Sequence, residues 1–339
     1  MIPRRLRRSA AWRLPLLVFV AVFTVTLAVG YTAAERGLPV GNTPAAQPPL
    51  VDLQPQIPPL PAPPATLEPA RQVPPVFEEP VVDLALLALQ EEMQAVVDGY
   101  WVNGNFAVAI SDLQSGQTIS VYGDRTQVAG CIWNLSVIIV ALRDVQAGRY
   151  PLSDVEAIIR QTIWASDASA ALKLYRIVGD GDYTGGVQRV LDLARDGMAL
   201  VVSVIDHPPA FTDFSLDISD TNLITANEVN QLLSALYHGE LLNSEWTAWL
   251  LDAMTRVKPG LNYLTAFGTG GKVSHKNGFL PENGTWVDND AGIVRFERGG
   301  QEYAYAITFL SEGVPAKYAD IPLGQRLSQL AWSHFDAAY

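Results

Sequence analysis

Fourteen of the chain's 23 prolines fall between Pro39 and Pro80, several of them in pairs such as Pro48-Pro49, Pro58-Pro59, Pro63-Pro64 and Pro74-Pro75. Proline fixes φ and removes a backbone donor, so this stretch fits neither helix nor sheet and should extend as polyproline II, reaching on the order of 130 Å at ~3.1 Å per residue. A cooperative core is therefore confined to the residues that follow. Ahead of the prolines, Arg4, Arg5, Arg7, Arg8 and Arg13 precede an uncharged run of 21 residues from Leu14 to Ala34. A bilayer needs roughly 20 apolar residues and a cleavable signal only about 7 to 15, so an uncleaved anchor is expected. Cleavage after Ala33 or Ala34 and twin-arginine export through Arg7-Arg8 are the alternatives. The positive-inside rule places everything after Ala34 outside the cytoplasm. The expected organisation is an anchor over 1–34, a proline-rich linker over 35–82 and a folded domain over 83–339. A docking site for a proline-recognising partner is the competing reading of the linker.

Charge and cysteine content narrow the function classes. The formal charge is -12, with 23 basic and 35 acidic residues. Without the five N-terminal arginines the balance is -17, so the folded part repels nucleic acid and no nucleic-acid partner is expected. The single cysteine, Cys131, allows no intrachain disulfide. His207, His238, His275 and His334 lack the spacing of a helical zinc pair, so no metal is expected. Walker, G-x-G-x-x-G and G-x-S-x-G patterns are absent, and no cofactor is implied.

From Val81 the texture becomes regular. Leu84, Leu86, Leu87, Leu89, Met93 and Val96 form a helical pattern ending at Gly99, and Phe106–Ser111 with Thr118–Tyr122 reads as an antiparallel hairpin. Helical patterns follow at Trp133–Ala147, Val155–Trp164, Ala168–Val178, Gly186–Arg195 and Glu228–Tyr237, the last opened by the capping box Thr225-Ala-Asn-Glu228. Strand texture returns at Gly271–Phe279, Ala291–Glu297 and Tyr303–Leu310, and a helix over about 323–338 closes the chain. Strands parted by a helical insertion must close into one sheet. The expected class is α+β, an antiparallel sheet flanked by helices beside a mostly helical lobe at about 125–265.

Three local phrases carry chemistry. Cys131-Ile-Trp-Asn134 opens the first long apolar helix, Ser166-Asp167-Ala168 precedes another, and Lys276-Asn277-Gly278 lies in a strand. This order and these phrases resemble the class A β-lactamases and penicillin-binding transpeptidases, whose motifs are Ser-x-x-Lys, Ser-Asp-Asn and Lys-Thr-Gly. The resemblance implies a nucleophile at Cys131, with Asn134 in the place of the lysine that takes its proton. It implies a proton-relaying hydroxyl at Ser166 beside Asp167, with Ala168 in place of a substrate-contacting asparagine. It implies a ligand-binding strand at Lys276, Asn277 and Gly278, the lysine attracting a carboxylate. Each phrase also has a plain structural reading. Cys131 suits a small core position, Ser166-Asp167 an ordinary helix cap, and Asn277-Gly278 a hairpin turn.

Serine to cysteine preserves a nucleophile, but asparagine accepts no proton at neutral pH. None of the five lysines completes a Ser-x-x-Lys phrase, and no glutamate lies between Gly197 and Asp220 to activate a deacylating water. Asp206, Asp213 and Asp217 occupy no recognisable version of the family's loop. The implied function is a membrane-anchored, extracytoplasmic, non-catalytic descendant binding a peptidoglycan fragment, a β-lactam or a protein partner in its groove. The alternatives are an acyl-transfer hydrolase using Cys131 and a purely structural interaction module.

Overall fold

The structure, a computed structural model, describes residues 83–258 and 264–339, so the expected anchor and linker lie outside the described residues. No helix among the described residues is long and apolar enough to cross a membrane. Helix α1 (Leu84–Asp98) starts where the Asp83 side chain accepts from the Ala85 amide, and it buries Leu86, Leu89, Met93 and Val97 along one stripe. Strands β1 (Asn105–Asp112) and β2 (Thr118–Val121) form the expected hairpin.

The short strands β3 (Gln127–Val128) and β4 (Leu223–Ile224) pair with each other and bracket most of the helical lobe. Between them run α2 (Asn134–Gln146), α3 (Glu156–Ala165), α4 (Ala168–Val178) and α5 (Tyr183–Asp192). Helix α6 (Ala226–Tyr237) follows β4, with Thr225 capping the Glu228 amide as its capping box foretold. Helix α7 (Ser244–Ala253) has no counterpart in the sequence reading. Its Asn243 cap and its Trp246, Leu250 and Leu251 are plain in retrospect.

Strands β5 (Lys272–Glu282), β6 (Thr285–Arg298) and β7 (Gln301–Glu312) run longer than their apolar cores suggested, and α8 (Ile321–Ala338) closes the chain. The turn joining β5 to β6 is Asn283-Gly284, both at positive φ, as a tight primed turn requires. Asn277-Gly278, six residues earlier, lies within the strand, so the turn reading of that phrase is wrong.

The five-stranded antiparallel sheet has the order β2-β1-β7-β6-β5. Its two faces bury different side chains. Val108, Ile110, Ile307 and Phe309 pack with α1 and α8, while Ala107, Ala109, Ala291 and Ala306 join the core of the helical lobe. The small alanines let α6 approach closely. Asn230 on that helix donates to Ser111 Oγ (3.0 Å) and accepts from Thr308 Oγ1 (2.7 Å), so these three buried polar side chains satisfy one another.

Helices α4 and α5 meet at Gly186, where a Cβ would lie 1.9 Å from the Tyr175 carbonyl oxygen. Backbone cannot yield as a side-chain tip does. Gly186→Ala should therefore cost about 3 kcal/mol, the upper range for overpacking, read as a lowered midpoint in urea unfolding.

Candidate functional site

Gly130, at φ +53°, reverses the chain after β3 and starts a 3-10 turn, Gly130–Trp133, that feeds directly into α2. No side chain caps α2, so the positive end of the helix faces the turn that carries Cys131. Three bonds fix that turn. Asn289 on β6 donates Nδ2 to Val128 O (2.8 Å), Glu312 Oε2 accepts from Val128 N (2.9 Å), and Asn222 O accepts from Ala129 N (3.0 Å).

Strand β5 presses against this turn through glycine. A Cβ on Gly278 would lie 2.9 Å from Cys131 N and 3.0 Å from Ala129 O, and a Cβ on Gly130 would lie 3.3 Å from Gly278 C. Only a residue without a side chain allows this approach. The third phrase is thereby brought against the first, and the strand reading holds.

Ser166 completes the group. It takes the left-handed conformation (φ 50°) between α3 and α4, and its Oγ donates to Asn277 Oδ1 at 3.1 Å while accepting from Lys276 Nζ at 2.5 Å. Asp167 has a different task. Its Oδ1 accepts from the Ala170 amide (2.8 Å) and its Oδ2 from Gln161 Nε2 (3.1 Å), so it is the helix cap. Ala168 is the first residue of α4, and its methyl group offers no hydrogen bond. The second phrase therefore divides, the serine turned to β5 and the aspartate spent on the helix.

Lys276 is fully buried, with Nζ also donating to Asn277 O at 2.5 Å. Burial pulls its ammonium down to about 8, against the opposing influence of negative charge at Cys131 and at Asp290. Sequence reasoning found no lysine to replace the one missing from Cys131-Ile-Trp-Asn134. The fold supplies one from the other side of the seam, since Lys276 lies within electrostatic reach of the thiol. Asp290 is fixed behind it, accepting from Thr265 N (3.1 Å) and paired with His275 Nδ1 at 2.9 Å.

Asn134 is fully buried, and neither its amide nitrogen nor its oxygen has a partner. Tyr175 on α4 was missed by sequence reasoning. Its hydroxyl is likewise buried and unpartnered, and burial first, then charge at Cys131, pushes it well above its ordinary value. A tyrosine within the apolar stripe Ala170, Ala171, Leu174 and Val178 was the available signal. Cys131 is half-buried, next to these groups and open to small reagents.

In the segment between α5 and β4, Asp206 is the carboxylate held by internal bonds. Asp206 Oδ2 takes Ser215 Oγ (2.5 Å) and His207 Nδ1 (3.1 Å), and its Oδ1 takes the amides of Ile218 (2.8 Å) and Ser219 (3.2 Å). Burial raises Asp206, but these bonds outweigh it and hold the group below the usual carboxylate range. Its role is to tie the loop together. No cluster of three or more metal-ligating side chains occurs among the described residues.

A five-stranded antiparallel sheet with two helices on one face, a helical lobe on the other and polar groups gathered at their seam defines the β-lactamase-like class of α+β proteins. A family model described as the beta-lactamase enzyme family matches residues 153–335, and the chain belongs to that family. The match includes Ser166 and Lys276 and begins after Asn134. No curated protein matches the chain. Among solved structures, a β-lactamase from Chitinophaga pinensis aligns with TM-score 0.60 and 20% identity over 76% of this chain and 100% of its own. A class A β-lactamase from Bacteroides cellulosilyticus aligns with TM-score 0.63 and 17% identity over 75% of this chain and 99% of its own. PBP-A gives 0.60 and 20% identity over 74% and 97%. At these identities the likeness establishes the fold.

At pH 7 Lys276 is charged in both folded and unfolded chains, so its burial penalty is felt in full. As pH climbs through about 8 the folded lysine neutralises first, and the protein gains stability until the unfolded chain also titrates near ~10.4. Lys276→Met should thus be more stable than wild type at pH 7 by about 2 kcal/mol, a difference that narrows between about pH 8 and 10. Urea unfolding across that pH range checks both magnitude and sign.

Proposed function

We propose that the chain is a membrane-tethered, extracytoplasmic β-lactamase-fold domain that binds cell-wall material at the seam between helical lobe and sheet without hydrolysing it. The observation that carries this reading is Asn134. At the place where family resemblance puts the proton acceptor stands a buried amide with both polar atoms unpartnered. General acid–base help is worth about 10²- to 10⁴-fold in rate, and deacylation also lacks the glutamate that the resemblance calls for, since none lies between Gly197 and Asp220. Gly278, which lets β5 lie against the half-buried Cys131 turn, supports a retained binding edge, with the fully buried Lys276 acting on it through its charge. Tethering outside the cytoplasm rests on the arginine-flanked apolar run and the proline-rich linker.

One observation favours a second reading, acyl transfer to Cys131. A free thiol is already a few per cent thiolate at pH 7 and needs a base less than serine does. Without an activated water, the resulting thioester would persist.

Incubation with a chromogenic cephalosporin and with penicillin, followed by intact-mass analysis, separates the readings. The proposed function predicts no turnover and no adduct, with saturable binding of a wall peptide that Lys276→Met weakens by about tenfold. A stable mass increase at Cys131 would establish the second reading, and sustained turnover would overturn both. Cys131→Ser with Asn134→Lys should gain acylation, although Ala168 still lacks the amide found in the family's motif.

A further inference from the structure

Past Gly278, β5 runs on through Phe279 to its turn at Asn283-Gly284, and here three rings gather about one ammonium. Lys317 Nζ lies 4.8 Å from the ring centre of Tyr318, 5.0 Å from Phe279 and 5.4 Å from Trp286. The rings also pack on one another, Phe279 with Trp286 at 5.2 Å and with Tyr318 at 5.4 Å. Lys317 makes no ion pair or hydrogen bond among the described residues, so the rings are its partners. Isolated cation–π contacts are common in proteins, whereas three faces on one cation make a cage of the kind that recognises alkylammonium ligands.

Two carboxyl groups stand behind the cage. Asp288 is the ladder partner of Phe279, and Asp320 follows Lys317 by three residues. Both are buried. Burial raises each, Asp288 to about 8, with Asp320 and Asp290 pushing it the same way and Lys317 opposing. Lys317 is the influence that pulls Asp288 back towards ionisation, so a cation at this position and an ionised Asp288 favour each other.

The resident lysine sits on a segment that can give way. Pro315, Ala316, Lys317 and Tyr318 are exposed, and Tyr318 holds a left-handed φ of 64°, which costs a residue with a side chain about 1 kcal/mol. At its ends the segment is held by the Val314–Trp286 backbone bridge and by Tyr100 Oη donating to Ala319 O at 2.6 Å, and between them by two local turn bonds, Ala319 N to Ala316 O and Ile321 N to Tyr318 O, and by the ring contacts of Lys317 and Tyr318.

We propose that Phe279, Trp286 and Tyr318 form a subsite for an alkylammonium group, and that Lys317 occupies it until a ligand amine displaces it. The subsite begins one residue beyond Gly278, so a ligand lying along β5 from Cys131 would place an amine-bearing substituent there. It does not depend on whether Cys131 reacts or on whether the seam itself binds ligand.

The test uses the full chain and two probes, tetramethylammonium and lysine amide, followed by tryptophan fluorescence. Lys317→Ala empties the cage. Because the tethered lysine competes at high effective concentration, the variant should bind tetramethylammonium roughly tenfold more tightly than wild type. Adding Trp286→Leu to Lys317→Ala should abolish that binding. Preference for lysine amide over tetramethylammonium would assign the site to primary amines, and the reverse to quaternary ones. A folded Lys317→Ala that shows no saturable response, or binding unchanged by Trp286→Leu, would overturn the proposal. Should Lys317→Ala fail to fold, wild-type hydrogen exchange decides: the probes should speed exchange at the amides of residues 316–319, and unchanged exchange would overturn it.

Discussion

The site depends on the absence of two side chains. Gly130 and Gly278 let the start of α2 and the edge strand β5 meet backbone to backbone, and a methyl group on Gly278 would stand 2.9 Å from the Cys131 nitrogen. That approach sets Lys276 beneath the thiol-bearing turn and brings Ser166 onto the same strand from the opposite side. Asn289, reaching from β6 to two successive carbonyls of the turn, keeps the contact in register. The sheet contributes position, the helical lobe contributes the nucleophile-like thiol, and the glycines let the two be close.

Within that frame the charges are unbalanced. A buried ammonium is expensive unless paired, and Lys276 has for partners a hydroxyl and a carbonyl, with charge at Cys131 and then at Asp290 acting on it without a direct bond. Opposite it, Asn134 and Tyr175 hold polar groups with no partner at all. Unpaired buried polar atoms cost about 1–3 kcal/mol each, so a domain serving only as a spacer would gain by losing them.

Much of this was legible in the sequence, and the failures have physical reasons. The period of the apolar residues located α1, α2, α4 and the first hairpin, and a threonine cap with glutamate three residues on located α6 to the residue. Helix α7 was lost because its two tryptophans and short length blur the periodic signal. Asn277-Gly278 and Asn283-Gly284 are identical dipeptides with opposite fates. The first is held straight by pairing with β6 and by the turn at Cys131, and only the second takes positive φ. The three altered motif phrases could be placed from local context. Asp167 as a helix cap was legible too, since its partners Ala170 and Gln161 are local, whereas Lys276 reaching the thiol's neighbourhood depended on contacts such as Ser166 with Asn277, 111 residues apart, which no local pattern encodes.

Lys276 is the buried charge around which the seam is built, and its own titration tests this most directly. The Nζ chemical shift of the full chain followed against pH should give a midpoint of about 8, because burial opposes the ammonium, and Cys131→Ala should move that midpoint lower, because charge at Cys131 raises it. A midpoint at the ordinary ~10.4, or one that Cys131→Ala leaves in place, would contradict it.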